Sequence, residues 1–315
     1  MAVGRAGRWA LLPEHRVRVW SAWCGAAGVA ARREDFDVVH AHDFNTLELG
    51  AALADERGAA LVYDSHEWWS GRQRHGRPSP VLTRREARVE RRLLGRADAV
   101  VTVSQGIADR LGGWHGRAVS VVRNTFPGRQ VVPVRHTALD RPRGLVYAGR
   151  LGAGRDLETV LAGAGGLRVV LMGSGDDGYL RGLRRGESVQ VRPAVPVDEV
   201  DGVFQEHGLC VVPLTDSCAN HRMALPNKLF QAVRAGVPVV AADLPELRAV
   251  VRRHDLGELY RPGSARSFRL AVERVGERFP EVAASVRRAS AELCWERDAQ
   301  VLLGVYGELA GRASR

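Results

Sequence analysis

The stretch that most constrains this chain runs from Pro226 to Glu246: Pro-Asn-Lys-Leu-Phe-Gln-Ala-Val-Arg-Ala-Gly-Val-Pro-Val-Val-Ala-Ala-Asp-Leu-Pro-Glu. Pro226 suits the opening of a helix, where its missing N–H would be unpaired anyway, and Leu229, Phe230 and Val233 recur at helical spacing. Gly236 ends that helix. The apolar run from Val237 to Ala242 is too short for a helix and rich in valine, so it reads as a strand buried on both faces. Asp243 and Pro245 then turn the chain into another helix. A helix feeding a buried strand is half of a parallel α/β unit, and the free amides at a helix N-terminus favour an anion.

Lys228 is the only lysine among 46 basic residues, so arginine occupies nearly every other cationic position. Its survival in this turn points to a need for a compact ammonium; chance is the competing reading, and the sequence leaves both open. At 315 residues the chain suits two domains, each able to bury a core. The net charge of +10 is spread along an Ala/Gly/Arg-rich chain and forms no basic tail, so no nucleic-acid partner is expected. Cys24, Cys210, Cys218 and Cys294 show no CxxC pair and read as reduced thiols. The apolar runs are short of a membrane span and residues 1 to 12 lack the core of a signal peptide, so a cytoplasmic location is expected.

Strands and helices alternate along the chain. Asp37 to His40, Leu61 to Tyr63, Ala99 to Val103 and Ala118 to Val122 read as strands of a first half, with helices from Asn45, Val81 and Ser104 between them. A Pro/Arg-rich connector from Thr125 to Arg143 separates this from a second series: strands at Gly144 to Tyr147, Leu167 to Met172, Ser188 to Val191 and Leu209 to Val212, then the opening stretch. The expected architecture is α/β, with two Rossmann-like parallel-sheet domains. Expected boundaries are 1–135, 136–293, and a terminal helix in 294–315. The helix from Val81 to Leu94 carries five arginines interrupted by Glu86 and Glu90, which fits either a solvated face or peripheral contact with the inner face of a membrane.

Ligands of parallel sheets sit at the carboxyl ends of strands. Gly149-Arg150 with Gly152, Gly154 and Arg155 places two guanidiniums around a glycine loop, a diphosphate clamp or a solvated loop. Gly173-Ser174-Gly175-Asp176-Asp177-Gly178 matches GxGxxG, but Asp176 and Asp177 would face the pyrophosphate, and Arg192 stands near where an acidic ribose ligand is expected. Nicotinamide binding is therefore the lesser reading. His40 and His42 share one face of a strand end and either bind metal or line a pocket; Asp43 is the only acidic partner visible nearby in sequence, which favours the pocket. His66 beside Glu67 marks a cleft, and Trp68 and Trp69 suit sugar stacking or core packing.

Together these pieces resemble the family 4 retaining glycosyltransferases, whose two Rossmann-like domains face each other across a cleft (the GT-B fold). The resemblance rests on Asp-Val-Val-His-Ala-His-Asp, Val-Tyr-Asp-Ser-His-Glu, Arg-Ala-Asp-Ala-Val-Val-Thr-Val-Ser, Tyr-Ala-Gly-Arg-Leu, Met-Gly-Ser-Gly and above all Leu-Pro-Asn-Lys-Leu-Phe-Gln with Ala-Gly-Val-Pro-Val-Val. It implies a hexosyltransferase-like enzyme that uses a nucleotide-sugar donor, an acceptor that is a glycan, a lipid or a small molecule, and neither cofactor nor metal. It implies that Arg150 and Arg155 hold the leaving diphosphate and that His66 lines the reaction centre, these three being catalytic. Gly149, Gly173, Ser174, Gly175, Val195, Leu225, Asn227, Lys228 and Gln231 would bind the donor, and His42, Glu67 and Trp68 would lie on the acceptor side. The last helix would cross back onto the first domain.

Two features depart from the pattern. The family's paired glutamates fall on Met223 and Gln231, and an amide offers the ribose hydroxyls one neutral acceptor where a carboxylate offers a charged pair, so weaker nucleotide binding is expected. Only 36 residues precede Asp37, too few for the strands the family places there, so an incomplete first domain is expected. Both support an alternative reading as a non-catalytic, glycosyltransferase-like binding module.

Overall fold

The computed structural model describes residues 19–73, 80–128, 139–183 and 188–313. The first 18 residues, part of the connector from Thr125 to Arg143 and the expected boundary at 135/136 lie outside them. Helix α1 covers residues 19–31 and packs on the next helix, where Trp20 Nε1 donates to the carbonyl of Asn45.

The first sheet alternates strand and helix: β1 (Val38–His42), α2 (Asp43–Arg57), β2 (Ala60–Ser65), a 3-10 turn (Trp69–Gly71), α3 (Pro80–Leu94), β3 (Ala99–Thr102), α4 (Gln105–His115) and β4 (Ser120–Val121). The strands pair in parallel in the order β1-β2-β3-β4. Sequence signals placed these elements to within a few residues. Ser104 caps α4 as its position suggests, accepting from the Ile107 N–H, and Gly58 closes α2 at a φ of 66°. β1 runs two residues further than periodicity implies because His42 pairs in register with Asp64, and β4 keeps only two residues.

The second sheet is built from β5 (Gly144–Ala148), α5 (Leu157–Gly163), β6 (Arg168–Met172), α6 (Asp177–Leu183), β7 (Val189–Arg192), α7 (Val197–His207), β8 (Gly208–Val212), α8 (Ala219–Met223), α9 (Asn227–Ala235), β9 (Val239–Ala242), α10 (Pro245–His254), β10 (Gly257–Tyr260), α11 (Ala265–Glu277) and α12 (Phe279–Ala289). Its six parallel strands run β10-β9-β8-β5-β6-β7. The chain leaves β5 in one direction through β6 and β7, then crosses to β8 on the other side. That reversal opens a crevice beyond the carboxyl ends of β5 and β8, the place where parallel sheets bind ligands. β9 begins two residues later than the apolar run, since Pro238 has no N–H for the ladder.

The last helix, α13 (Trp295–Ala313), returns to the first sheet: Val305 and Leu309 pack on Val62 and Val101. Buried Asp298 secures the crossing by accepting from the Arg123 N–H at 3.1 Å, its guanidinium at 3.0 Å and the Thr125 hydroxyl at 2.7 Å. These bonds fix the returning helix to the segment that follows β4.

Candidate active site

Two glycine loops nest at the mouth of β5 and β6. The Gly149 N–H donates to Met172 O, Leu151 N–H donates to Ser174 O, and Gly173 N–H donates to Arg192 O. Gly173 has a φ of 151°, and a Cβ there would stand 1.8 Å from the Gly149 carbonyl oxygen; a Cβ on Gly175 would stand 2.2 Å from Leu151 O. Close backbone packing therefore accounts for the first two of the three glycines in the GxGxxG match. Asp176 Oδ1 accepts from the Tyr179 N–H at the start of α6, so the acid that looked misplaced beside a pyrophosphate serves a short helix instead. Gly175 thus acts through packing, away from the cleft lining.

From these loops a cleft of about 730 Å³ opens toward the first sheet. Gly149, Arg150, Arg155, Gly173 and Ser174 line it at the β5 and β6 ends. Val195 and Leu225 line it from the segments before α7 and α9, Asn227, Lys228 and Gln231 line it from α9 itself, and His66 and Glu67 face them from the end of β2. Lys228 Nζ lies 4.8 Å from the centre of the Tyr147 ring, whose hydroxyl donates to Arg150 O. Desolvation, with Arg155 nearby, holds the Lys228 pKa down to about 8. Gln231 is 7% exposed and its Nε2 donates to Val197 O at 3.0 Å, which leaves the amide oxygen as the group's offer to the cleft.

On the opposite wall His66 Nε2 lies 3.0 Å from Asp64 Oδ2, and the His66 N–H donates to Asp43 Oδ1. The bond to Asp64 is the main cause that raises the His66 pKa, against a smaller desolvation effect. Two residues expected on the acceptor side lie elsewhere. The Trp68 ring stacks on the Arg110 guanidinium at 4.7 Å and on the apolar cluster of the first domain, outside the cleft lining. His42 lines a neighbouring cavity of about 320 Å³ with His40 and Asp64. There the acidic partner of the histidines is Asp64, which sequence reading missed because it is brought in by strand pairing; Asp43 is taken by the His66 amide.

The short helix α8 brings the side chains of Asn220 and His221 to the cleft as well. Asn220 Oδ1 accepts from the Trp68 N–H at 2.8 Å, and its Nδ2 is 3.4 Å from Glu67 Oε2. His221 lines the cleft with Nδ1 donating to Thr215 O at 2.7 Å, and burial lowers its pKa. A five-residue helix leaves too little periodicity to be read. Among the described residues, no helix is long and apolar enough to cross a membrane.

Comparison with known proteins follows the same division. Residues 3–126 match the model of Glycosyltransferase Family 4, and residues 153–277 match that of Glycosyl transferases group 1. D-inositol 3-phosphate glycosyltransferase 1 of Catenulispora acidiphila is 24% identical, over 89% of this chain and 74% of that protein. Sucrose-phosphate synthase from Thermosynechococcus elongatus superposes with a TM-score of 0.74 at 17% identity, covering 98% of this chain and 80% of that one. Anabaena HepE, solved in complex with UDP-glucose, gives 0.67 at 18% identity, covering 92% and 81%. These likenesses show two Rossmann-like domains in the GT-B arrangement.

Proposed function

The chain belongs to the family 4 glycosyltransferases, and from that premise we propose that it moves a hexose-like sugar from a nucleotide-sugar donor to an acceptor with retention of configuration. The observation that carries the reading is the convergence of Arg150, Arg155 and Lys228 with the Gly149 and Gly173 loops on one face of the cleft, opposite His66. Cations and close-packed glycine backbone suit a diphosphate, and charge that develops on a leaving nucleotide is stabilised by groups already in place. The HepE complexes with UDP and UDP-glucose support a nucleotide-sugar as the donor class.

In this reading Arg150 and Arg155 stabilise the departing diphosphate, Lys228 holds it, and Gln231 takes the ribose hydroxyls through its amide oxygen. His66, oriented by Asp64, borders the transferred sugar, and the acceptor enters on the side of Glu67 and attacks from the face the nucleotide leaves. None of these roles requires a cofactor or a metal. Gln231 favours a second reading: its amide nitrogen bonds to Val197 O, a structural use that suits a non-catalytic nucleotide-binding relative.

Calorimetric titration with UDP, GDP, dTDP and ADP, alone and as sugar conjugates, tests both readings on the wild type, Gln231→Glu and Arg155→Ala. Binding of one nucleotide that tightens about fivefold in Gln231→Glu, roughly 1 kcal/mol, and vanishes in Arg155→Ala supports the donor site. Sugar release from the conjugate then separates the enzyme from the binding module. Silence from folded protein in every titration refutes the proposed donor site.

A further inference from the structure

The geometry points to a divalent transition-metal site, of the kind zinc occupies, formed by His40 Nε2, His42 Nδ1 and the Asp64 carboxylate in the smaller cavity. His40 and His42 alternate along β1 and so project from the same face, while His42 pairs in register with Asp64 on β2. The three ligand atoms lie within 4.8 Å of one another. Asp64 Oδ2 is 3.0 Å from His42 Nδ1 and 3.6 Å from His40 Nε2. Ligands about 2.0 to 2.1 Å from a tetrahedral ion sit roughly 3.3 Å apart, so the two separations from Asp64 bracket what the ion needs, while the His40 and His42 rings, stacked with centroids 4.4 Å apart, would turn to aim both lone pairs at it.

Two further observations favour a metal over a plain hydrogen-bond cluster. His40 Nε2 is buried and makes no hydrogen bond within 3.5 Å among the described residues, Asp64 Oδ2 standing off at 3.6 Å. A buried ring nitrogen left so is costly unless its lone pair has an acceptor such as a cation. The other nitrogen of the same ring, Nδ1, is 2.6 Å from the Tyr306 hydroxyl on α13. With its proton on Nδ1 toward Tyr306, the His40 ring presents the Nε2 lone pair to the cluster, the arrangement by which outer partners orient metal-binding histidines.

Two imidazoles and one carboxylate suit zinc and its neighbours better than magnesium or calcium, which take oxygen. The fourth position faces the cavity, so the site is of the open kind. It is distinct from the proposed donor clamp and does not rest on the sugar-transfer reading. It is nevertheless built into the wall that carries His66, whose Nε2 shares the same Asp64 oxygen at 3.0 Å.

The test is titration of the full chain with Zn²⁺ against a chromophoric chelator, followed by Co²⁺ and its visible absorption. One equivalent of Zn²⁺ is expected, with an intense low-coordinate Co²⁺ band. His42→Asn, at an exposed position, and Asp64→Asn should each weaken binding by more than about a hundredfold; Tyr306→Phe should weaken it about tenfold through the loss of an orienting partner. Absence of saturable binding overturns the site. So do a weak, six-coordinate Co²⁺ spectrum, a thiolate-to-cobalt band that assigns the ion to cysteine, or wild-type affinity in folded His42→Asn and Asp64→Asn.

Discussion

The side-chain oxygen of Asn220 accepts the main-chain N–H of Trp68 at 2.8 Å, joining the short helix beside the second sheet to the loop that follows β2. The Ser104 hydroxyl, which donates to Met223 O at 2.6 Å, and the Gly106 N–H, which donates to Glu246 Oε1 at 2.7 Å, make the same crossing. Asn220→Ala removes the acceptor of a bond that is mostly shielded from water, a loss of about 1 to 2 kcal/mol in the closed arrangement. The expected result is a larger radius of gyration by small-angle scattering, with the folded content unchanged by circular dichroism. An unaltered radius would show that the other two bonds hold the cleft by themselves.

Lys228 titrates where affinity can be followed. Below its pKa of about 8 the ammonium is present before a diphosphate arrives; above it, binding must take up a proton. Nucleotide diphosphate affinity should therefore be level below pH 8 and weaken by up to about tenfold per unit above it. In Lys228→Met that decline should disappear and affinity should be low throughout. Calorimetry in two buffers of different ionisation enthalpy measures the proton uptake directly.

Glu90 is buried, donates nothing in its charged form, and accepts the Tyr63 hydroxyl at 2.9 Å; burial raises its pKa to about 7. Folded chain thus keeps a proton that unfolded chain releases near the ordinary value of 4.5. Stability contributed by this group is full below pH 4.5 and is lost as pH rises through 7, on the order of 3 kcal/mol. Glu90→Gln should raise the denaturation midpoint at pH 8 and change it little at pH 4. A variant no more stable at pH 8 would show that the charged carboxylate finds compensation inside the fold.

Gly173 and Gly152 sit in adjoining loops and should respond very differently to alanine. A Cβ at Gly173 meets the Gly149 carbonyl oxygen at 1.8 Å on a backbone of positive φ, whereas a Cβ at Gly152 meets nothing within 4 Å. Gly173→Ala should cost at least about 3 kcal/mol and abolish nucleotide binding, while Gly152→Ala should stay within about 0.5 kcal/mol. Chemical denaturation of the pair decides the point.

Much of the fold was legible because it is written locally. Buried parallel strands must be short apolar runs, and helix ends need caps and glycines, so β5, β6, β8 and α9 stand out in the chain. The same locality brought Arg150, Arg155 and Lys228 to attention, which follow a strand or open a helix, whereas Gln231, inside α9, came only through the family resemblance. The stretch that holds β10, α11 and α12 carried no comparably sharp signal, and α8 is shorter than two helical turns. Trp68 was ambiguous from the outset: a tryptophan after a strand can stack on a ligand or on a neighbour, and only its place over Arg110 decides between them.

The order of the elements from β1 to β9 apart from α8, the parallel character of both sheets and the glycine loops followed from the chain alone, since period, turn chemistry and steric need act over a few residues. Which side chains meet did not. His40 and His42 acquired Asp64 through strand register, His40 acquired Tyr306 from a helix that crosses back over more than 260 residues of chain, and Trp68 acquired Asn220 across the cleft. Such encounters depend on how β1 lies beside β2 and how two domains close. No spacing in the sequence encodes them, because the forces that set them are the packing of whole sheets and helices on one another.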